Sequence, residues 1–234
     1  MKKLIAFDMD GTLTQHKSPL EEANRQCLSK LAEKYKLLMI GAGSCERIYR
    51  QLGEFPIEII GNYGMQHATV TENGFEIVES LSVPVDRDFI TSAINSMRKE
   101  FGFEKFYGDS VEFHASGVIT FPILGTAAPL AEKLAFDPDC SKRQKIYPRV
   151  CEVLEKYNVF IGGSSSFDIT QGEYNKFFAL KKYCDENGFT VDEAIFFGDA
   201  FADGGNDSHI RLGGADYVEV KDYRNFPDYA AFLM

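Results

Sequence analysis

Asp8 and Asp10 stand one residue apart at the end of the apolar run LIAF, and the stretch LIAFDMDGTLT turns at Gly11. Two carboxylates about 4–5 Å apart repel by roughly 3–4 kcal/mol at an effective dielectric near 20, so they need a cation, a shared proton or distance. If the run is a strand, its period of two aims both side chains the same way. A hard divalent ion is then the simplest answer to the repulsion. A second apolar run, IFFG, ends in the same manner at Asp199 and is followed by Asp203 and Asp207 in GDAFADGGND. Oxygen ligands without sulfur or imidazole suit Mg²⁺, which keeps waters and takes one or two carboxylates plus a substrate phosphate. The metal candidates are Asp8, Asp10, Asp199, Asp203 and Asp207; zinc is disfavoured.

Two further stretches could hold a phosphate. Gly41-Ala42-Gly43-Ser44 leaves an apolar run and enters a helix, so Gly43, Ser44 and the amides beside them can face phosphate oxygens. Lys176 opens a later helix, where an ammonium can neutralise a nucleophile and a transferring phosphoryl group. Alone, GAGS is an ordinary helix entry and Lys176 a solvated lysine. Their order along the chain, each at a strand end or helix start, is what gives them weight.

The elements that must position these residues follow from periodicity. KKLIAF, KLLMIG and IEIIG are short apolar runs separated by helical segments, a grammar that predicts right-handed crossovers and a parallel sheet. Ser18-Pro19-Leu20-Glu21 predicts the N-cap, N1 and capping-box Glu of the first helix, with Leu20, Ala23, Cys27, Leu28, Leu31 and Tyr35 on its buried face. After Asn62 the grammar changes. ATVTENGFEIVE reads as a hairpin about Asn73-Gly74. A helix is predicted over 87–101, then the strand pair SVEFHASGVITFPIL, two helical stretches, and the strands of FIGGSSSFDIT. From Asn175 the parallel pattern returns with helix KFFALKKYCDEN, strand EAIFFGD and strand ADYVEV. The predicted fold class is α/β: a doubly wound, Rossmann-like parallel core, residues 1–82 and 171–234, interrupted by an α+β cap over residues 83–170.

The 234 residues are 44% hydrophobic, enough for a packed core, and the formal charge of −10 argues against a nucleic-acid surface. MKKLIAF begins like a signal peptide, but Asp8 and Asp10 interrupt it, so no export signal is read; no window reads as a membrane span. The five scattered cysteines form no CxxC pair and predict reduced thiols in a cytoplasmic protein.

FDMDGT, GAGS, the lysine of YNKFF and GDAFADGGND resemble motifs one to four of the haloacid dehalogenase (HAD) superfamily. Within it, FDMDGTLT, QLGEFP, GGSSSFDI and GGND resemble the phosphomannomutase-like branch, whose α/β cap lies between motifs two and three. The resemblance implies that Asp8 attacks phosphorus to give an aspartyl phosphate, that Asp10 protonates the leaving oxygen and later activates the acceptor, and that the Asp10 backbone carbonyl turns toward Mg²⁺. Asp199 would bind the metal, Asp207 or Asp203 would support it, and Ser44 and Lys176 would hold phosphate. Asn62, Ser166 and Asp168 match sugar-contacting positions. Mutases of this branch grip the second phosphate with cap arginines, whereas VEFHASGVITFPILGT has none; His114 and Thr126 stand near those places, and Arg143 is the cation retained. The expectation is therefore a Mg²⁺-dependent phosphatase acting on a small phosphorylated metabolite such as a sugar phosphate, with phosphomannomutase as the alternative and a non-catalytic sugar-phosphate sensor as a third. Related mutases pair through their caps, which leaves a homodimer open.

Overall fold

The structure, a computed structural model, describes residues 1–234. The chain opens with β1 (Leu4–Phe7), α1 (Glu22–Ala32), β2 (Lys36–Ile40), α2 (Cys45–Gln51), β3 (Glu58–Gly61) and the hairpin β4 (Gln66–Thr71) and β5 (Gly74–Ser80). There follow α3 (Arg87–Phe101), β6 (Glu112–Phe113), β7 (Ile119–Pro122), α4 (Leu130–Phe136), α5 (Ser141–Val153), β8 (Tyr157–Gly162) and β9 (Ser166–Gln171). The last part is α6 (Lys176–Asn187), β10 (Ala194–Gly198), α7 (Ser208–Leu212), β11 (Asp216–Glu219) and α8 (Phe226–Ala230). Two compact units result: one of residues 1–81, 175–203 and 207–234, the other of residues 82–174 and 204–206.

In the first unit seven strands lie in the order β11-β10-β1-β2-β3-β4-β5. The pairings from β11 to β3 are parallel, and the hairpin adds two antiparallel strands at the β3 edge. β1 is buried on both faces, as a parallel strand under crossover helices must be. Ile5 and Phe7 pack with Leu28 and Leu31 of α1 and Ile48 of α2, while Leu4 and Ala6 pack with Ala179 and Leu180 of α6. Helices thus cover both faces, the doubly wound arrangement predicted.

The first helix starts later than its sequence signal. Its N-cap is Glu21, with no side-chain cap bond, so Ser18 and Pro19 belong to the preceding loop. Asn24 rather than Ala23 is buried there, and its amide donates to the Leu13 carbonyl at 2.8 Å and the Tyr223 carbonyl at 2.9 Å.

The second unit is a four-stranded antiparallel sheet, β6-β7-β9-β8. One face packs Ile119, Phe121, Phe167 and Ile169 against Ile90, Ile94 and Met97 of α3 and Val150 of α5. Residues 87–101 are helical as predicted, capped by the Asp86 carboxylate and stopped at Gly102 in the left-handed region, φ 75°. The later boundary falls at 174/175 rather than 170/171, because β9 runs through Gln171 and the next helix begins only at its Asn175 cap. All five cysteines are free thiols. No helix is long and apolar enough to cross a membrane.

Candidate active site

β1 and β10 are neighbours in register, Phe7 opposite Phe197, so the residues that follow them emerge side by side. The Asp8 amide donates to the Phe197 carbonyl at 2.8 Å. One carboxylate oxygen from each of Asp8, Asp199 and Asp207 lies within 4.8 Å of the others. Lys176, the first residue of α6 and fully buried, places Nζ 2.7 Å from Asp8 Oδ1 and 2.7 Å from Asp207 Oδ1. The other Asp207 oxygen accepts the backbone amides of Asp199 at 3.1 Å and Ala200 at 3.0 Å, which locks the loop after β10. Gly11 completes the approach. Its φ is +91°, and a Cβ there would lie 2.4 Å from Asp199 Oδ2, so only glycine lets the loop after β1 rest against that carboxylate.

The electrostatics follow from crowding in a low-dielectric crevice. Burial pushes the Asp8 carboxyl up to about 6; Lys176 pulls it down and Asp207 pushes it further up. Asp199 reaches solvent, yet the enclosing protein and repulsion from Asp8 and Asp207 push its carboxyl up to about 8. For Lys176, burial works against the charge, but Asp207 and Asp8 outweigh it and hold the ammonium above its ordinary value. Three acids and one internal cation leave the cluster short of positive charge, and its donors are all hard oxygens. Such a donor set fits Mg²⁺.

Asp10 is not in this cluster. β1 ends at Phe7, so the strand's period of two does not extend over Asp8 and Asp10. Its carboxylate instead accepts from Gln51 Nε2 at 2.6 Å, from the Lys17 amide at 2.8 Å and from Arg47 Nη1 at 3.3 Å, with His16 Nδ1 at 3.6 Å. Burial opposes ionisation there, but those donors together hold the carboxyl below its ordinary value. The expectation that both side chains share one direction and one ion is therefore corrected. Asp203 also lies apart as a metal ligand: its side chain is 90% exposed and pairs with Arg211 at 2.8 Å. Of the two alternatives for the supporting acid, the geometry brings Asp207 to the cluster and leaves Asp203 outside.

Ser44 is the N-cap of α2, its Oγ accepting the Arg47 amide at 3.3 Å. Gly43 precedes it, and the Gly43 carbonyl accepts the amide of Asn62, which takes a left-handed φ of 50° just after β3. The GAGS turn and Asn62 are thus neighbours. Gln51 and Arg47 are functional candidates that the motif reading passed over. Their signal was the i, i+4 spacing on the helix that GAGS opens, with Arg47 Nη1 3.2 Å from Gln51 Oε1.

In the second unit Arg143 corrects the sequence reading. Its side chain is 1% exposed, paired with Asp137 at 2.8 Å and donating to the carbonyls of Gly162, Gly163 and Ser166. It is an internal strut and presents no charge to a ligand. Asp137, which completes that strut, was not singled out because a DP dipeptide reads as a turn. His114 Nε2 lies 3.0 Å from Thr120 Oγ1, and the Thr120 hydroxyl reaches Asp168 Oδ1 at 3.4 Å across the β7–β9 pairing. The Ser166 hydroxyl donates to the Gly162 carbonyl at 3.0 Å.

The profile of the family described as "Eukaryotic phosphomannomutase" matches residues 24–216. A phosphomannomutase of Saccharomyces cerevisiae is 28% identical over 88% of this chain and 84% of its own length. Among solved structures, an IMP-bound IMP-nucleotidase of Plasmodium falciparum superposes with a TM-score of 0.75 at 15% identity, over 100% of this chain and 68% of that one. A phosphatase of the HAD superfamily from Bacteroides thetaiotaomicron gives 0.63 at 16%, over 99% and 94%.

Proposed function

The chain belongs to the eukaryotic phosphomannomutase family, a branch of the HAD superfamily, and from that premise we propose that it is a phosphomannomutase, interconverting mannose 1-phosphate and mannose 6-phosphate by way of Asp8. Phosphoryl transfer of the HAD type is the shared chemistry; the direction it takes after Asp8 is the finer reading. One observation carries it: the buried Asp8–Lys176–Asp207 ion triad, with Asp199 beside it, on a chain similar to phosphomannomutases over most of both lengths.

Lys176 holds Asp8 Oδ1, which leaves the other oxygen for attack on phosphorus. The new Asp8 O–P bond forms as the P–O bond to the sugar breaks, and the leaving oxygen takes a proton from Asp10, whose carboxyl holds one only once donors that depress it in the free protein have passed to the substrate. In the second half, Asp10 takes the proton of the acceptor hydroxyl as that oxygen displaces Asp8 from phosphorus. Asp8, Asp199 and Asp207 would hold Mg²⁺, with the Asp10 carbonyl a further oxygen, and the ion supplies charge neutralisation at the phosphoryl oxygens. The Ser44 hydroxyl and Lys176 orient those oxygens.

A second reading, hydrolysis, has a specific observation in its favour. Arg143 is internal, so the stretch expected to grip a non-reacting phosphate supplies no cation from that position. The test incubates the protein with Mg²⁺, mannose 1-phosphate and a catalytic amount of hexose 1,6-bisphosphate. Accumulation of mannose 6-phosphate without matching free phosphate is the expected result. Stoichiometric free phosphate supports hydrolysis instead, and absence of any turnover across a phosphomonoester panel defeats both.

The raised carboxyls of Asp8 and Asp199 also make a metal-linked pH prediction. Without metal, the folded state holds protons that the unfolded state gives up near pH 4. Stability therefore declines as pH rises from about 4 toward about 8. Added Mg²⁺ displaces those protons, so its stabilising shift in Tm should grow from pH 5 to pH 8. Asp199→Asn should flatten both trends. A Mg²⁺ shift that is equal at pH 5 and pH 8 contradicts the assignment of this cluster as the metal site.

A further inference from the structure

The second unit carries four arginines, and each is already engaged. Arg98 is buried and donates to the carbonyls of Phe103, Ser110, Pro122 and Ile123, and Arg143 is buried on Asp137. Arg149 pairs with Glu100 and Glu152, and Arg87 lies over the Phe113 ring at 4.9 Å. A hydroxyl or imidazole does not match the bidentate, permanently charged grip of a guanidinium fork on phosphate.

The first unit supplies one at the phosphate turn. Arg47 extends from α2 back over Gly43, where a Cβ would stand 2.3 Å from its Nε, 2.5 Å from Nη2 and 2.7 Å from Cζ. The guanidinium therefore occupies the space that a side chain at residue 43 would fill. Its side chain remains 38% exposed. Its contacts to Asp10 and Gln51, 3.3 and 3.2 Å, are long for a charge-assisted bond, so the fork is placed but not committed. The Lys17 amide and His16 stand on the same Asp10 carboxylate, so that carboxylate keeps other partners when Arg47 leaves it.

We infer that Arg47 is the phosphate-gripping arginine of this chain, resting on Asp10 in the free protein and passing to an anionic phosphoryl oxygen of the substrate on binding. The inference rests on the phosphoryl-transfer reading of the site and extends it to a specificity residue. When the fork transfers, Asp10 Oδ2 loses a partner and turns available to the substrate oxygen. Binding of the anion and release of the acid–base carboxylate then become one event. Gly43 is part of the device, since any side chain there would displace the guanidinium.

The test compares Arg47→Ala, Arg47→Lys and Arg47→Gln with the parent chain by calorimetric titration of inorganic phosphate in the presence of Mg²⁺, with thermal midpoints as the fold control. Loss of a charge-assisted pair is expected to weaken phosphate binding about 10- to 100-fold in the alanine and glutamine variants and less in the lysine variant. In steady-state assays KM should rise more than kcat falls. If inorganic phosphate binding is unchanged but KM for a hexose bisphosphate rises at least tenfold relative to a monophosphate, the fork grips the non-reacting phosphate, and the inference stands. Phosphate affinity and both KM values within twofold of the parent, in a variant that melts like the parent, overturn it. Phosphate binding needs no turnover, so a parent chain that binds phosphate through Arg47 but converts no hexose phosphate would sink the mutase reading alone.

Discussion

Asp8→Asn is expected to lower phosphoryl transfer by at least about 10⁴-fold while leaving the fold as stable as the parent or more stable. The two halves of this expectation have one cause. Asp8 is buried and its carboxyl is already pushed up to about 6, so the protein strains against its charge at neutral pH. An amide of the same shape removes one of three crowded acids and keeps an oxygen to accept from Lys176 2.7 Å away. It cannot, however, form the bond to phosphorus. Turnover of a mannose phosphate and the thermal midpoint, measured together at pH 7.5, check both halves. Activity within tenfold of the parent would remove Asp8 from the nucleophilic role, and a loss of several degrees in Tm would mean the charge supports the fold instead of burdening it.

Much of this arrangement was legible before any coordinates, and the parts that were not share a physical reason. An apolar run that stops at an acid marks a strand's carboxyl end, and Asp8 and Asp199 could be picked out that way. The alternation of such runs with helical segments was enough for a doubly wound sheet, and Asn73-Gly74 for the hairpin. Periodicity does not say where a strand stops. Extending β1 past Phe7 put Asp8 and Asp10 on one side, whereas the strand stops at Phe7 and the two carboxylates part, one toward Lys176 of α6 and the other toward Gln51 of α2. Residue type does not report burial either. Arg143 looked like a ligand for phosphate because arginine usually sits at surfaces, but Asp137 and three carbonyls satisfy it inside the sheet-and-helix packing. Arg47 escaped notice for the opposite reason: nothing in its local sequence says that residue 43 has room for its guanidinium.

Lys176→Ala should have the largest effect on stability of any single change in this site, a loss of about 3–5 kcal/mol at pH 8 without metal. Its ammonium is the internal counterion of both Asp8 and Asp207, all three being buried. Removal leaves two carboxylates facing each other, with Asp199 adjacent and already held at about 8 by repulsion and burial. Asp8 and Asp199, both already raised, respond by binding protons, so their carboxyls rise further in the variant. Because a raised acid destabilises the fold only once it is ionised, the deficit should shrink as pH falls toward 5 and be greatest above pH 8. Mg²⁺ can replace the missing charge and should restore more stability to Lys176→Ala than it adds to the parent. At about 2–4 °C per kcal/mol for a chain of this size, the metal-free loss is readable as a drop of roughly 6–20 °C in thermal midpoint. Asp8→Asn placed in the same chain should recover part of that loss, since it removes one of the stranded charges, and the double variant separates charge balance from packing. A Lys176→Ala protein that melts within about 1 kcal/mol of the parent at pH 8, with no added response to Mg²⁺, would show that the acids do not share this cation in solution.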